Sequence, residues 1–367
     1  RGVAVVKLKR ALYGCVQSAR LWFEKLRGVL EADGFQANPY DLCTFNKLVD
    51  GEQVSVAFHV DDLLITSKSG SAIDAMIKHL KSSFENVSET RGAVHNYLGM
   101  QVTICDGYIE IDMSGYVDKL LASQEGLKSS PTPAGPNLMN IDPDSPPLNA
   151  AEKKRFHSEV AKILFIAKRV RMMILPAVSF LAGRVCAPTE QDRAKLNKIF
   201  CYLLYSKNTV MRLKRGGVVE PVAYVDASWA VHDDLHGRTG IVIMLAHCAV
   251  GAWSYKQKMI TQSSTECEIV ALADACAHVL WYYRWLGAQG HDVRPFRVMQ
   301  DNTAVLTLMD GERRTSQRTK HLSVRLFYPH DLQVQGKIAL EWCPTANMIA
   351  DLMTKPLAGE VFKRLVN

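Results

Sequence analysis

The sequence has no pair of cysteines at C-x-x-C spacing, although it carries nine cysteines in 367 residues. They are scattered, at positions such as Cys15, Cys105, Cys201 and Cys343, and no histidine of the eleven stands at a zinc-ligand spacing from them. This argues against a structural zinc finger. An odd, dispersed set suits reduced thiols in a cytoplasmic or nuclear protein that is not secreted. Long apolar runs are missing too. The longest, Ile241–Trp253, has 13 residues and contains His247. It is too short to span a bilayer and reads as buried strands, so no membrane partner is expected. No signal peptide opens the chain, which starts at Arg1 without a methionine, inside what reads as a running domain. A fragment or processed product is therefore expected. Internal repeats and low-complexity tracts are absent. Neither sign of charge dominates: the net charge of +7 permits contact with a polyanion without requiring it.

What is present is core material. Apolar residues make up 48% and charged residues 22%, which excludes bulk disorder, and the length suggests two or three domains. Residues 18–33 repeat apolar positions at helical spacing (Trp22, Leu26, Val29, Leu30), with Gly34 placed to end the helix. Gln53–Val60 and Leu63–Ile65 read as strands flanking Asp61-Asp62, a helix follows near 71–84, and 97–112 reads as a hairpin turning at Asp106-Gly107, a type I′ dipeptide. Six of the 14 prolines fall between Pro131 and Pro147, a linker signal. Helical stretches are expected over 150–184 and 189–206. From Pro221 the pattern becomes β-β-β-α-β-α-β-α: strands at 221–228, 237–247 and 250–255, a long helix at 264–287, a strand at 295–300, a short helix at 302–309, a broken helix over 318–335, a strand at 337–342 and a last helix at 347–353.

Phosphodiester hydrolysis needs an activated water and a leaving oxygen that can carry charge; two divalent ions about 3.5–4 Å apart supply both. Hard ions such as Mg²⁺ take carboxylate oxygens, so three or four acids must meet, each from its own element. The second half offers such a set. Asp226 ends the first strand in Ala223–Trp229, Glu268 lies in the first turns of the long helix in Ser263–Leu272, Asp301 ends the fourth strand, and Asp351 sits on the last helix. Singly, an Asp at a strand end begins a turn, and Glu268 would complete a Thr265 capping box. Four acids at four matching places are harder to explain that way. Glu266 and Glu268 stand about 200° apart around a helix, so both cannot face one site. Glu268 borders the apolar face of Ile269, Leu272, Cys276, Val279 and Leu280 and is preferred, with Glu266 second.

These segments resemble the RNase H domain of copia-type retrotransposons. The resemblance rests on Asp226–Trp229, Ser263–Glu268, Asp301-Asn302, Arg318-Thr-Lys-His321 and Ala350–Leu357. It implies an RNase H-like domain with a five-stranded mixed sheet flanked by helices. Asp226, Glu268, Asp301 and Asp351 become catalytic metal ligands for two Mg²⁺, with Mn²⁺ as a substitute. Arg318, Lys320 and His321 become nucleic-acid-binding, Arg318 and Lys320 on phosphates. Taken alone, Arg318–His321 is equally a solvated helix start. The implied substrate is the RNA strand of an RNA–DNA hybrid. The chain departs from the family at Tyr328-Pro329, which is expected to kink or shorten a helix, and Pro344–Ala350 holds no histidine.

The first half resembles the reverse transcriptase of the same polyprotein, through Ala11–Trp22, Val60-Asp61-Asp62 and Tyr97-Leu-Gly-Met100. Here the departures are His59, Cys15-Val16 and Arg171–Ile174. The family's first palm Asp and its fingers would lie upstream of Arg1, so Asp61 and Asp62 are read as a polymerase remnant without synthetic activity. The organisation expected is a truncated palm (α+β) over 1–128, a Pro-rich linker over 129–149, a helical connection over 150–215 and the RNase H domain over 216–367, an α/β chain overall. Other parts of the same polyprotein are expected partners, in a virus-like particle or the nucleus. Two other readings stand beside this one. The first is a degraded, non-catalytic nucleic-acid-binding relic. The second is an integrase or transposase, which shares the fold but needs a Glu downstream of the second Asp, where this chain has Lys337.

Overall fold

Apolar periodicity forms the first helix, α1 (Val16–Ala32), which buries Leu26 and Leu30. It ends as Gly34 foretold: Gly34 adopts φ +86°, while the Phe35 N–H donates to Leu30 O and the Gly34 N–H to Glu31 O, both at 3.0 Å. This is a Schellman closure, with Phe35 and Leu30 sharing one core. The computed structural model describes residues 7, 9, 11, 12, 14–216, 219–310 and 323–366. They form two compact units, one of residues 1–98 with 284–291, the other of 99–283 with 292–367.

In the first unit, β1 (Gln36–Asn38), β2 (Asp41–Val49), β3 (Glu52–His59) and β4 (Asp62–Ser67) make an antiparallel sheet in sequential order. Phe45, Val54, Val56 and Phe58 pack beneath α1 and α2 (Gly70–Ser83). A short strand β5 (Val94–Tyr97) follows.

In the second unit, β6 (Met100–Ile104) and β7 (Tyr108–Asp112) form the expected hairpin. Its turn is not type I′, because Gly107 alone takes positive φ and Asp106 does not. α3 (Ser114–Leu121) follows, then α4 (Ala150–Ala167), α5 (Leu175–Ala182), α6 (Glu190–Tyr205) and β8 (Met211–Lys214), which pairs with β7. The stretch 150–184 is thus not one helix. The chain breaks at Arg171, whose fully buried guanidinium donates to the carbonyls of Val170, Ser206 and Lys207. The Pro-rich segment contributes Ala134, Leu138 and Met139 to the core of α4, α5 and α6. Proline narrows the unfolded ensemble, so ordering such irregular chain sacrifices less entropy.

Beyond these lie β9 (Val222–Ser228), β10 (Arg238–Leu245), β11 (Cys248–Lys256), α7 (Ser264–Ala288), β12 (Phe296–Gln300), α8 (Thr303–Asp310), α9 (Ser323–Val334), β13 (Ile338–Trp342), α10 (Asp351–Thr354) and α11 (Gly359–Val366). The sheet order is β11-β10-β9-β12-β13, with β9, β10 and β11 antiparallel and β9, β12 and β13 parallel. This is the five-stranded mixed sheet expected for the second half. Strand alternation sorts β10 between two cores. Ile241 and Ile243 meet α7 residues Ile269, Leu272, Ala275 and Val279 on one face, whereas Val242 faces Leu352, Met353, Val178 and Leu181 on the other. α9 runs through Pro329 to Val334 instead of ending early. Leu326 and Leu332, one on each side of the proline, are both buried in the α7 core and offset the roughly 3 kcal/mol a helical proline costs. Among the described residues no helix is long and apolar enough to cross a membrane.

One glycine seats the C-terminal segment. Gly240 pairs with Asp226 across the sheet, and a Cβ there would lie 2.6 Å from Thr354 Cγ2, 2.8 Å from Met353 Cβ and 2.9 Å from Ala350 O. Gly240→Ala should therefore lift α10 from β10 and reduce unfolding free energy by about 1–3 kcal/mol, read by urea denaturation. An unchanged midpoint would show that α10 is not clamped there.

Candidate metal centre

Each candidate acid arrives on its own element. Asp226, 2% exposed, lies on β9 opposite the Ala223 and Val225 face. Glu268 lies one turn into α7 and Asp301 directly follows β12. Ligand atoms of Asp226, Glu268 and Asp301 all lie within 4.8 Å of one another, so this triad could hold a metal ion. Asp351 opens α10, which is four residues long; the expected helix at 347–353 is split into a single turn at Thr345–Asn347 and α10. Asp351 is not part of that triad and is linked to Asp226 through Lys355, whose Nζ is 2.5 Å from Asp351 Oδ1 and 3.4 Å from Asp226 Oδ2.

The two glutamates of α7 divide two jobs. Glu266 accepts the Gln262 N–H at 2.8 Å, and its own N–H donates to Ser263 Oγ, which is helix capping. Glu268 joins the acid cluster. The start of α7 is thus capped by Ser263 and Glu266, not by Thr265 with Glu268.

Three positioning residues had escaped notice in the sequence. Gln300 is fully buried; its Nε2 donates to Glu268 Oε2 at 3.4 Å, while its Oε1 accepts the N–H groups of Asp301 and Asn302 at 2.9 and 3.1 Å. Thr354, also fully buried, donates its hydroxyl to Asp226 Oδ2. Lys355 lies within the Ala350–Leu357 segment. Two further bonds hold the frame: Trp229 Nε1 donates to Thr261 O at 2.9 Å, tying the end of β9 to the turn before α7, and Thr345 Oγ1 donates to Asp301 Oδ2 at 2.9 Å.

Electrostatics follow from burial. Desolvation pushes Asp226 up to about 7, assisted by Asp351 and Asp301 and resisted by Lys355 and Thr354. Set against the ordinary value of 3.8, this is on the order of 4 kcal/mol against ionisation. Burial, then Asp226, raises Glu268 well above its usual range. Burial alone would lower Lys355, but Asp226 and Asp351 outweigh it and raise the ammonium. Such a set holds protons until a hard cation displaces them.

Arg318, Lys320 and His321 lie outside the described residues. Asp61 and Asp62 are exposed at the β3–β4 turn, where Val60 takes φ +57° and its carbonyl accepts Trp22 Nε1–H at 2.6 Å. A β-branched residue at positive φ is strained. No third acid joins the pair among the described residues.

The second unit thus gathers acids near the strand ends of a five-stranded mixed sheet, and the first unit carries an Asp-Asp hairpin. Residues 2–136 match the family model described as reverse transcriptase (RNA-dependent DNA polymerase). Over 99% of its length the chain is 26% identical to the retrovirus-related Pol polyprotein from transposon RE1 of Arabidopsis thaliana, covering 25% of that protein. It is 23% identical, again over 99%, to the transposon Ty1-GR2 Gag-Pol polyprotein of Saccharomyces cerevisiae, covering 22% of it. The chain thus spans about a quarter of the length of these relatives. An RNase H domain of Mycobacterium tuberculosis, solved as a maltose-binding-protein fusion, is 16% identical, with 40% of this chain and 96% of that chain covered and a TM-score of 0.29. The chain is thus similar, along nearly its whole length, to Pol polyproteins of copia-type retrotransposons.

The buried carboxyls make stability a function of pH and metal. Asp226 titrates near 7 when folded and near 3.8 otherwise, so folding takes up a proton between these values. The stability this group contributes is complete below about pH 4 and is lost as pH rises through about 7. Metal-free wild type should therefore lose thermal stability relative to Asp226→Asn as pH is raised, and Mn²⁺ should restore it at about pH 8 but hardly at about pH 5. Equal stabilisation by Mn²⁺ at both values would refute a proton-coupled site.

Proposed function

We propose that the chain is a ribonuclease H that cleaves the RNA strand of RNA–DNA hybrids, joined to a reverse transcriptase remnant without synthetic activity. The observation that carries this is the convergence of Asp226, Glu268 and Asp301 within 4.8 Å, from a strand end, a helix start and a second strand end. Two divalent ions, Mg²⁺ or Mn²⁺, when bound activate a water and stabilise the leaving oxygen. Asp226, Glu268 and Asp301 would hold one, and Asp226 with Asp351 the other. The chain's own part is to keep these oxygens together. Gln300 orients Glu268 and the backbone that carries Asp301, and Thr354 orients Asp226. Arg318 and Lys320 are assigned to phosphates, with His321 beside them, and selectivity for RNA comes from contacts to the 2′-hydroxyl. The domain division at 1–128, 129–149, 150–215 and 216–367 is proposed with it, as are a non-secreted location and partners within the same polyprotein.

The test is incubation of the purified chain with a labelled RNA–DNA hybrid and Mg²⁺. Cleavage should leave 5′-phosphate and 3′-hydroxyl ends and cease with chelator. Asp226→Asn should lower the rate by at least about a hundredfold, as loss of a group acting in the transition state does, while hybrid binding persists. Equal cutting by wild type and Asp226→Asn would disprove the site. A folded wild type that binds the hybrid and never cuts it, even in Mn²⁺, would establish the non-catalytic relic instead.

For the polymerase half the expectation is no primer extension by this 367-residue chain, since Asp61 and Asp62 stand without a third acid among the described residues. Template-directed nucleotide incorporation would contradict it.

A further inference from the structure

The four carboxylates share their cation unequally. Among the described residues no lysine or arginine forms an ion pair with Glu268 or Asp301, whereas Asp351 and Asp226 both contact Lys355. We propose that the Lys355 ammonium holds the place of the second divalent ion, and that this ion enters only as Lys355 swings out; this rests on the two-ion reading above. Nζ lies 2.5 Å from Asp351 Oδ1 and 3.4 Å from Asp226 Oδ2. An ion held by both carboxylates would draw on the same two oxygens that the ammonium now contacts. The two cations therefore compete for one pair of oxygens and repel each other by charge.

The surroundings favour exchange of the side chain rather than movement of its backbone. Thr354 is fully buried, bonded to Asp226, and packed over Gly240, where a Cβ would lie 2.6 Å from its Cγ2. The Lys355 side chain is 39% exposed, and its four-carbon stem can carry the head into water while the main chain stays. Before the second ion binds, Lys355 would thereby keep Asp226 and Asp351 partly neutralised and leave Asp226, Glu268 and Asp301 to take one ion. A phosphate of a bound hybrid offers the displaced ammonium a new anionic partner, so substrate and second ion load together.

The probe is Mn²⁺, titrated into the full chain with free ion followed by electron paramagnetic resonance. Wild type should bind one ion tightly and a second weakly. Lys355→Met should tighten the second by roughly tenfold or more, the scale of removing a half-exposed charge about 4 Å away, and leave the first nearly unchanged. Lys355→Arg, which keeps the charge, should leave the second weak. A measurement on wild type alone guards against misfolding of the variants: labelling of Lys355 by an amine-reactive acetyl ester, quantified by peptide mass spectrometry, should rise with occupancy of the second ion and not of the first. An unchanged second ion in Lys355→Met, or Lys355 labelling indifferent to Mn²⁺, overturns the exchange while leaving the metal centre intact. No saturable Mn²⁺ in wild type overturns both.

Discussion

Like charges cannot be buried together without something to offset them, and the architecture of the second unit follows from that constraint at Asp226. Desolvation and the neighbouring Asp351 and Asp301 oppose its ionisation, while Lys355 and Thr354 favour it. Burial wins, so the cluster rests partly protonated and is poised for a hard cation. Each supporting contact serves that balance. Gln300 donates to Glu268 and receives the backbone N–H groups of Asp301 and Asn302, so one buried amide sets the spacing of two acids. A neutral partner can do this without adding charge to a site already short of cations.

The same site depends on the sheet being covered on both faces. α7 covers one face and carries Glu268 at its start. On the other, α10 with its Asp351 presses against β10 because Gly240 offers no side chain. Arg238, 2% exposed, joins β10 to α5 by donating to Pro176 O and to the Ser179 and Ser254 hydroxyls. No carboxylate pairs with it among the described residues, and burial pushes it down to about 10. A buried guanidinium satisfied by neutral acceptors fixes geometry rather than adding much net stability. The helical layer over the sheet therefore belongs to the frame that carries the metal centre.

Much of this was legible along the chain. Strand-like runs marked β9, β10 and β11, the Ile269-Leu272-Cys276-Val279 spacing marked α7, and Gly34 marked the end of α1. The positions of Asp226, Glu268, Asp301 and Asp351 could be named because strand ends and helix starts are local features. Elsewhere local signals misled. Pro329 does not end α9, because buried leucines on both sides hold it. The stretch 150–184 breaks at Arg171, whose carbonyl partners Ser206 and Lys207 lie far along the chain. α3, α11, β1, β2 and β8 emerge only in the structure, although α11 is strongly amphipathic and buries Phe362.

Sequence by itself determined the order of elements from β9 to α10, the resemblance to copia-type polyproteins and the acids that are candidates for the site, since hydrophobic period and motif spacing are properties of neighbouring residues. Only the tertiary structure decided that Glu266 caps a helix while Glu268 faces Asp226 and Asp301, that Gln300 and Thr354 hold the acids, and that Lys355 stands between Asp226 and Asp351. Asp226 and Lys355 are separated by well over a hundred residues of chain. Their Coulomb interaction depends on distance through space and on the water excluded between them, and neither exists before the sheet, α7 and α10 have packed.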